Sequence, residues 1–188
     1  MKKNKNLLNG PTILTIARIF LVLPFMILLF QESNVAKIIA FILFVIASLT
    51  DLVDGKWARR KKIVTDFGAF LDPLADKMLV NLAFLALVYL NVVPLFVFAL
   101  ILIRDFAVDG MRMTAARSGI TISASIFGKL KTTFQMIALS ILILNLSLNF
   151  EPFLILGNII LYIAFFLTLF SGADYLSKGS TLIVKELS

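Results

Sequence analysis

The sequence predicts an all-α, polytopic membrane protein with six transmembrane helices and both termini in the cytoplasm. Three observations carry that prediction. Of 188 residues, 60% are hydrophobic and only 15% charged, with a mean hydropathy of +1.00; a water-soluble domain of this size has no interior large enough for so much apolar surface. The apolar residues fall into separate runs of about the 20 residues that a bilayer requires. The lysines and arginines collect at alternate ends of those runs.

Taken in order, the predicted spans are Thr12–Phe30, Val35 to Arg60, Phe67–Leu90, Val92 to Ala116, Phe127–Leu148 and Phe153 to Tyr175. Residues 1–11 form a basic juxtamembrane lead with Lys2, Lys3 and Lys5, and residues 1–188 read as a single transmembrane domain. The first run carries Arg18 and Pro24 and is followed by no small-residue cleavage site, so it reads as a retained helix and not a signal peptide. The apolar part of the second run, Ile38 to Leu49, is too short to cross, so that helix must continue through Asp51 and Asp54. Lys2, Lys3 and Lys5, then Arg59 to Lys62, then Arg112, Arg117, Lys129 and Lys131, then Lys178 and Lys185 fall on one side; the opposite loops hold only Lys37. The positive-inside rule places the charged side in the cytoplasm. The net charge of +7 thus points to an anionic membrane surface and not to nucleic acid.

With no cysteine and no histidine in the chain, disulfides, thiolate ligands and a cysteine nucleophile are excluded. Acid–base chemistry falls to carboxylates, lysine or tyrosine. Against that background the stretch from Asp51 to Asp76 stands out. Asp51 lies eight residues before Arg59, about 12 Å deeper along a helix at 1.5 Å per residue. Asp72 and Asp76 descend from the same basic turn, and ionisable groups at such depth mark function. Asp51 and Asp54 at i, i+3 share one helix face, as do Asp72 and Asp76 at i, i+4. Four converging carboxylates repel one another unless divalent cations neutralise them, and an all-oxygen donor set suits Mg²⁺, Mn²⁺ or Ca²⁺. A two-metal site of this kind suits phosphoryl transfer.

Gly55, Ala58 and Gly68 lie within a turn of these acids and leave a wall free of bulky side chains, with Arg59 placed to meet a phosphate. Helix packing is the competing role for small residues. Arg60 to Lys62 read as a topology signal, and Asp66 and Asp174 as interfacial caps or solvated acids. Helices two to five bring their charge to one level, which predicts a water-filled chamber open to the cytoplasm.

Asp51, Asp54, Gly55, Ala58, Arg59, Gly68, Asp72 and Asp76 match D-x2-D-G-x2-A-R-x8-G-x3-D-x3-D at every fixed position. This pattern resembles the signature of the CDP-alcohol phosphotransferase family. The resemblance implies six helices, a divalent-metal site (Mg²⁺ or Mn²⁺) on the four aspartates, and Asp76 as the base that activates an acceptor hydroxyl. It also implies CDP-lipid contacts from Asp51, Gly55, Ala58, Arg59, Gly68 and Asp72, and a homodimer in the cytoplasmic membrane with the site facing the cytoplasm.

Four further stretches, F-G-A-F-L-D-P-L-A-D-K, P-T-I-L-T-I-A-R, R-D-F-A-V-D-G-M-R and G-K-L-K-T, resemble the branch that transfers a phosphatidyl group from CDP-diacylglycerol to sn-glycerol 3-phosphate, releasing CMP. Arg104, Arg112, Lys129 and Lys131 form the cationic set that an acceptor phosphate needs. Other acceptors stay open: phosphatidylglycerol, as in CDP-dependent cardiolipin synthases, or an inositol phosphate. A cation-coupled transporter is the reading from another class, opposed by charge at one side and the lack of an inverted repeat. Two departures stand out. Thr12 follows Pro11 where the family commonly has asparagine. Asp109 takes the place of a small or hydroxyl residue, and an acid there weakens a phosphate pocket beside Arg112 unless it points away or pairs with a basic neighbour.

Overall fold

The computed structural model describes the backbone of residues 10–61, 66–117 and 125–187, and the side chains of 13–50, 74–75, 77–115 and 125–175. Within them the chain is entirely helical, with six helices: α1 Gly10–Leu29, α2 Asn34–Lys61, α3 Asp66–Tyr89, α4 Leu95–Arg117, α5 Ile126–Leu148 and α6 Glu151–Leu187. Helix α2 runs unbroken past Asp51 and Asp54, as its short apolar segment required. Among the described residues two helical segments, Ile126–Leu148 and Glu151–Tyr175, are long and apolar enough to cross a membrane.

The turns explain where the boundaries depart from the hydropathy runs. α3 ends on Asn91 in the left-handed region (φ 58°), and the amides of Val92 and Val93 both donate to the Leu87 carbonyl. Val93 precedes Pro94, a position that disfavours helix, so α4 starts at Leu95 and not at Val92. The Pro94 carbonyl then accepts from the amide of Phe98. Ser125 caps α5 by accepting from the Gly128 amide, and Asn149 closes it in the left-handed conformation (φ 48°, ψ 42°). α6 is 37 residues long and runs on to Leu187, well past the expected stop near Tyr175. Its length of about 55 Å exceeds a hydrocarbon core of about 30 Å.

The core is built from facing helices with alternating large and small residues. Phe25 of α1 packs on Phe44 of α2 (centroids 5.8 Å), and Phe84 of α3 stacks on Phe98 of α4 (5.7 Å). Ala40, Ala83, Ala138 and Ala164 are fully buried between them, small residues that let helices approach closely. The α5–α6 seam is the most extensive helix contact. There a Cβ on Gly157 would lie 2.6 Å from Leu142 Cδ2, so any side chain would force the buried Leu142 to shift. The outer surface is hydrocarbon: Phe20, Leu23, Ile27, Phe106 and Phe170 are all exposed. Arg18, Lys131 and Gln135 are buried. Charge inside and hydrocarbon outside reverses the distribution of a water-soluble protein.

Candidate active site

A cavity of about 450 Å³ opens between α3, α4, α5 and α6. Helical spacing explains how its lining is assembled. Arg104, Val108 and Arg112 recur every fourth residue along one stripe of α4, with Asp105 and Asp109 on the stripe beside it. On α5, Gly128, Lys131, Thr132 and Gln135 turn the same way, and Lys129 stands at the rim. The four cations singled out in the sequence, Arg104, Arg112, Lys129 and Lys131, thus all line one cavity.

Lys77 of α3 joins them, so that five cations face two carboxylates, Asp105 and Asp109. The excess positive charge, enclosed by low-dielectric walls, focuses potential on an anion. Asp109, the acid that weakened the reading of a phosphate site, forms a salt bridge with Lys77. It is thereby neutralised, which removes the objection to Arg112 on that ground.

The buried cations are held by a web that crosses three helices. Asp105 accepts from Arg104 Nη1 at 3.0 Å and from Lys131 Nζ, tying α4 to α5. Arg104 Nη2 donates to Ser171 Oγ of α6 at 2.5 Å. Its aliphatic stem lies against Gly172, where a Cβ would come within 2.9 Å of Arg104 Cγ.

One turn further along α6, Tyr175 is buried and its hydroxyl accepts from Arg112 Nη2 and from the Ser125 amide at 3.0 Å. Both guanidinium groups lie over its ring, at 5.1 Å for Arg112 and 5.7 Å for Arg104, a favourable cation–π arrangement. Each arginine nonetheless keeps a buried Nε without a hydrogen-bond partner, and so does the Nε2 of Gln135. Unmade bonds on buried donors are costly, and these three donors belong to residues that line one cationic cavity.

The side chains of Asp51, Asp54, Arg59, Ala58, Asp72 and Asp76 lie outside the described residues, as does any wall formed beside Gly55 and Gly68. Their backbone positions are nevertheless informative. Asp51 and Asp54 fall on α2, and Asp72 and Asp76 on α3. By register Asp72, Asp76 and Val80 share one α3 stripe; Val80 lines the cavity, and Lys77, another lining residue, follows Asp76 directly. The carboxylate stretch and the cationic cavity therefore meet on a single helix.

Among the described residues no group of three or more acidic, histidine or cysteine side chains could hold a metal, and the side chains of the four motif aspartates lie outside them. Carboxylates without any histidine or cysteine in the chain are hard oxygen ligands, and they fit a divalent cation of the Mg²⁺ or Mn²⁺ kind.

Several contributors were not foreseen. Lys77 follows a motif residue and could have been found by extending it. Ser171 and Tyr175 recur at i, i+4 in an apolar helix, a polar stripe that can be read from sequence. Gln135 stands four residues beyond Lys131 on the same face. Asp174, read as an interfacial cap or solvated, is half-buried and engaged with a partner.

The chain is similar to known proteins along most of its length. The sequence profile of the CDP-alcohol phosphatidyltransferase family matches residues 8–170. The CDP-diacylglycerol–glycerol-3-phosphate 3-phosphatidyltransferase of Bacillus subtilis (strain 168) is 41% identical over 91% of this chain and 95% of its own length. The Rickettsia prowazekii (strain Madrid E) protein of the same name is 44% identical, over 96% and 99%. A probable phosphatidylglycerophosphate synthase of Mycobacterium tuberculosis (strain ATCC 25618 / H37Rv) is 36% identical over 91% of this chain and 81% of its own. With the motif intact and these matches spanning almost the whole sequence, the chain belongs to the CDP-alcohol phosphatidyltransferase family.

Proposed function

We infer that this protein transfers a phosphatidyl group from CDP-diacylglycerol to sn-glycerol 3-phosphate, giving phosphatidylglycerophosphate and CMP. The observation that carries the acceptor assignment is the cavity in which Arg104, Arg112, Lys129 and Lys131 converge beside the α3 stripe of Asp76. A phosphomonoester acceptor needs such a site; a neutral alcohol does not. The names carried by the bacterial relatives support the same reaction.

The acceptor's phosphate binds among the two arginines and two lysines, whose forks and point charges complement its oxygens. This anchors the molecule with its free primary hydroxyl toward α3. Asp76 takes the proton from that hydroxyl, its oxygen bonds to the phosphorus bearing diacylglycerol, and the bond from that phosphorus to the CMP oxygen breaks. Asp51, Gly55, Ala58, Arg59, Gly68 and Asp72 contact the CDP-lipid. Asp51, Asp54, Asp72 and Asp76 would hold one or two Mg²⁺ or Mn²⁺ ions, which when bound offset the diphosphate's charge as the leaving group departs.

Six membrane spans, cytoplasmic termini and a cytoplasmic-facing site follow from the lysine and arginine asymmetry. The hydrocarbon outer surface, Phe20 and Phe170 included, supports a place in the cell membrane, and the whole chain acts as one domain within a homodimer. Purified protein given labelled glycerol 3-phosphate, CDP-diacylglycerol and Mg²⁺ yields a phosphorylated lipid and stoichiometric CMP. Absence of product, or equal use of serine or inositol phosphate, would overturn the assignment. Phosphatidylglycerol as the preferred acceptor would move the protein to the cardiolipin-forming branch.

A further inference from the structure

The cations account for a phosphate but leave a buried lining group, Gln135, unexplained. Gln135 is only 3% exposed, and its Nε2 is buried without a partner. It stands four residues beyond Lys131 on α5, about 6 Å along the helix. The next residues on that face, Ala138, Leu139 and Leu142, are fully buried in the apolar core. Gln135 is thus the last α5 residue to line the cavity before the apolar core begins.

The chemistry of the carboxamide narrows what it can meet. A phosphate dianion only accepts hydrogen bonds, and the arginines and lysines already supply donors in excess. A carboxamide presents a donor and an acceptor, the complement of a hydroxyl group, which also does both. The reacting hydroxyl has to face the carboxylates of α3. A neighbouring hydroxyl, on the carbon next to the phosphorylated one, remains for α5.

We propose that Gln135 is a specificity-determining residue that hydrogen-bonds the non-reacting C2 hydroxyl of the acceptor, selecting a hydroxylated phosphomonoester over an equally charged one without that group. This rests on the acceptor assignment above. A site built to bond a hydroxyl rejects the analogue lacking it, because its own buried polar group is then left unpaired.

The test uses the full chain in mixed micelles and measures CMP release with glycerol 3-phosphate and with 3-hydroxypropyl phosphate. The second compound keeps the phosphate and the reacting hydroxyl and lacks only the C2 hydroxyl. The unaltered protein should favour glycerol 3-phosphate by roughly tenfold or more in kcat/KM. Gln135→Met preserves length and bulk without a hydrogen bond. It should bring that ratio to within about threefold, by losing activity on glycerol 3-phosphate alone while the KM for CDP-diacylglycerol holds.

Equal losses on both acceptors would mean that Gln135 only supports the fold or holds a water, and would overturn the proposal. So would an unaltered protein that does not discriminate, an outcome that needs no variant to fold. An unaltered protein that releases CMP with neither phosphomonoester would instead strike at the proposed reaction itself.

Discussion

Removing the hydroxyl of Tyr175 probes how the cationic site is held together. Tyr175→Phe keeps the ring, and with it the cation–π contacts to Arg112 and Arg104 at 5.1 and 5.7 Å. What it removes is the acceptor shared by Arg112 Nη2 and the Ser125 amide. A hydrogen bond to a charged donor contributes about 1.5–3 kcal/mol, and at 1.4 kcal/mol per tenfold the lower figure corresponds to about tenfold in binding.

Arg112 can recover part of this from water in the cavity, so the expected change is a roughly tenfold rise in KM for glycerol 3-phosphate. The KM for CDP-diacylglycerol should stay within about twofold, since Arg112 lies away from the α2 motif. Ser125 is the N-cap of α5, and its amide loses a partner buried at the α5–α6 junction, which should lower thermal stability as well. CMP release titrated in each substrate separately, alongside thermal unfolding in detergent, measures both effects. An unchanged KM for glycerol 3-phosphate with an unchanged melting temperature would refute the idea that Tyr175 positions Arg112.

Three other perturbations follow from the same geometry. Arg104→Ala removes a side chain bonded to both Asp105 and Ser171, and kinetic titration should show a larger rise in KM for glycerol 3-phosphate than Tyr175→Phe produces. Asp76→Asn should abolish turnover while CDP-diacylglycerol binding, followed by equilibrium dialysis, largely survives; substantial residual activity would assign the base elsewhere. Gly157→Val places atoms where Leu142 already sits, with Cβ 2.6 Å from its Cδ2, and overpacking of this kind costs about 1–3 kcal/mol, to be read as a lowered melting temperature.

Much of the helical layout was readable because hydropathy and turn residues are local signals. The starts and ends of α1, α2, α3 and α5 fall within a few residues of the apolar runs. The two boundaries that moved have local causes of another kind. Pro94 delays α4, and α6 continues into residues whose helicity apolar content does not report. Spacing alone grouped Asp51 with Asp54 and Asp72 with Asp76, since helical periodicity fixes which residues share a face.

The partners within the cationic site were beyond that reach. Lys131 meets Asp105 across 26 positions, Arg112 meets Tyr175 across 63, and Arg104 meets Ser171 across 67. Such pairings depend on how far each helix is rotated about its axis, and packing sets that rotation, with Gly157 against Leu142 and Gly172 against the Arg104 stem among its determinants.

The sequence by itself determined that this chain is helical, where its charge concentrates, and which carboxylates share a helix face, because each of these depends on residues within a turn or two of one another. Tertiary structure alone decided that Asp109 is neutralised by Lys77, that Tyr175 holds Arg112, and that Gln135, its Nε2 unpaired, lines the cavity. Those facts depend on side chains from separate helices meeting at a few ångströms, a distance that only the packed bundle defines.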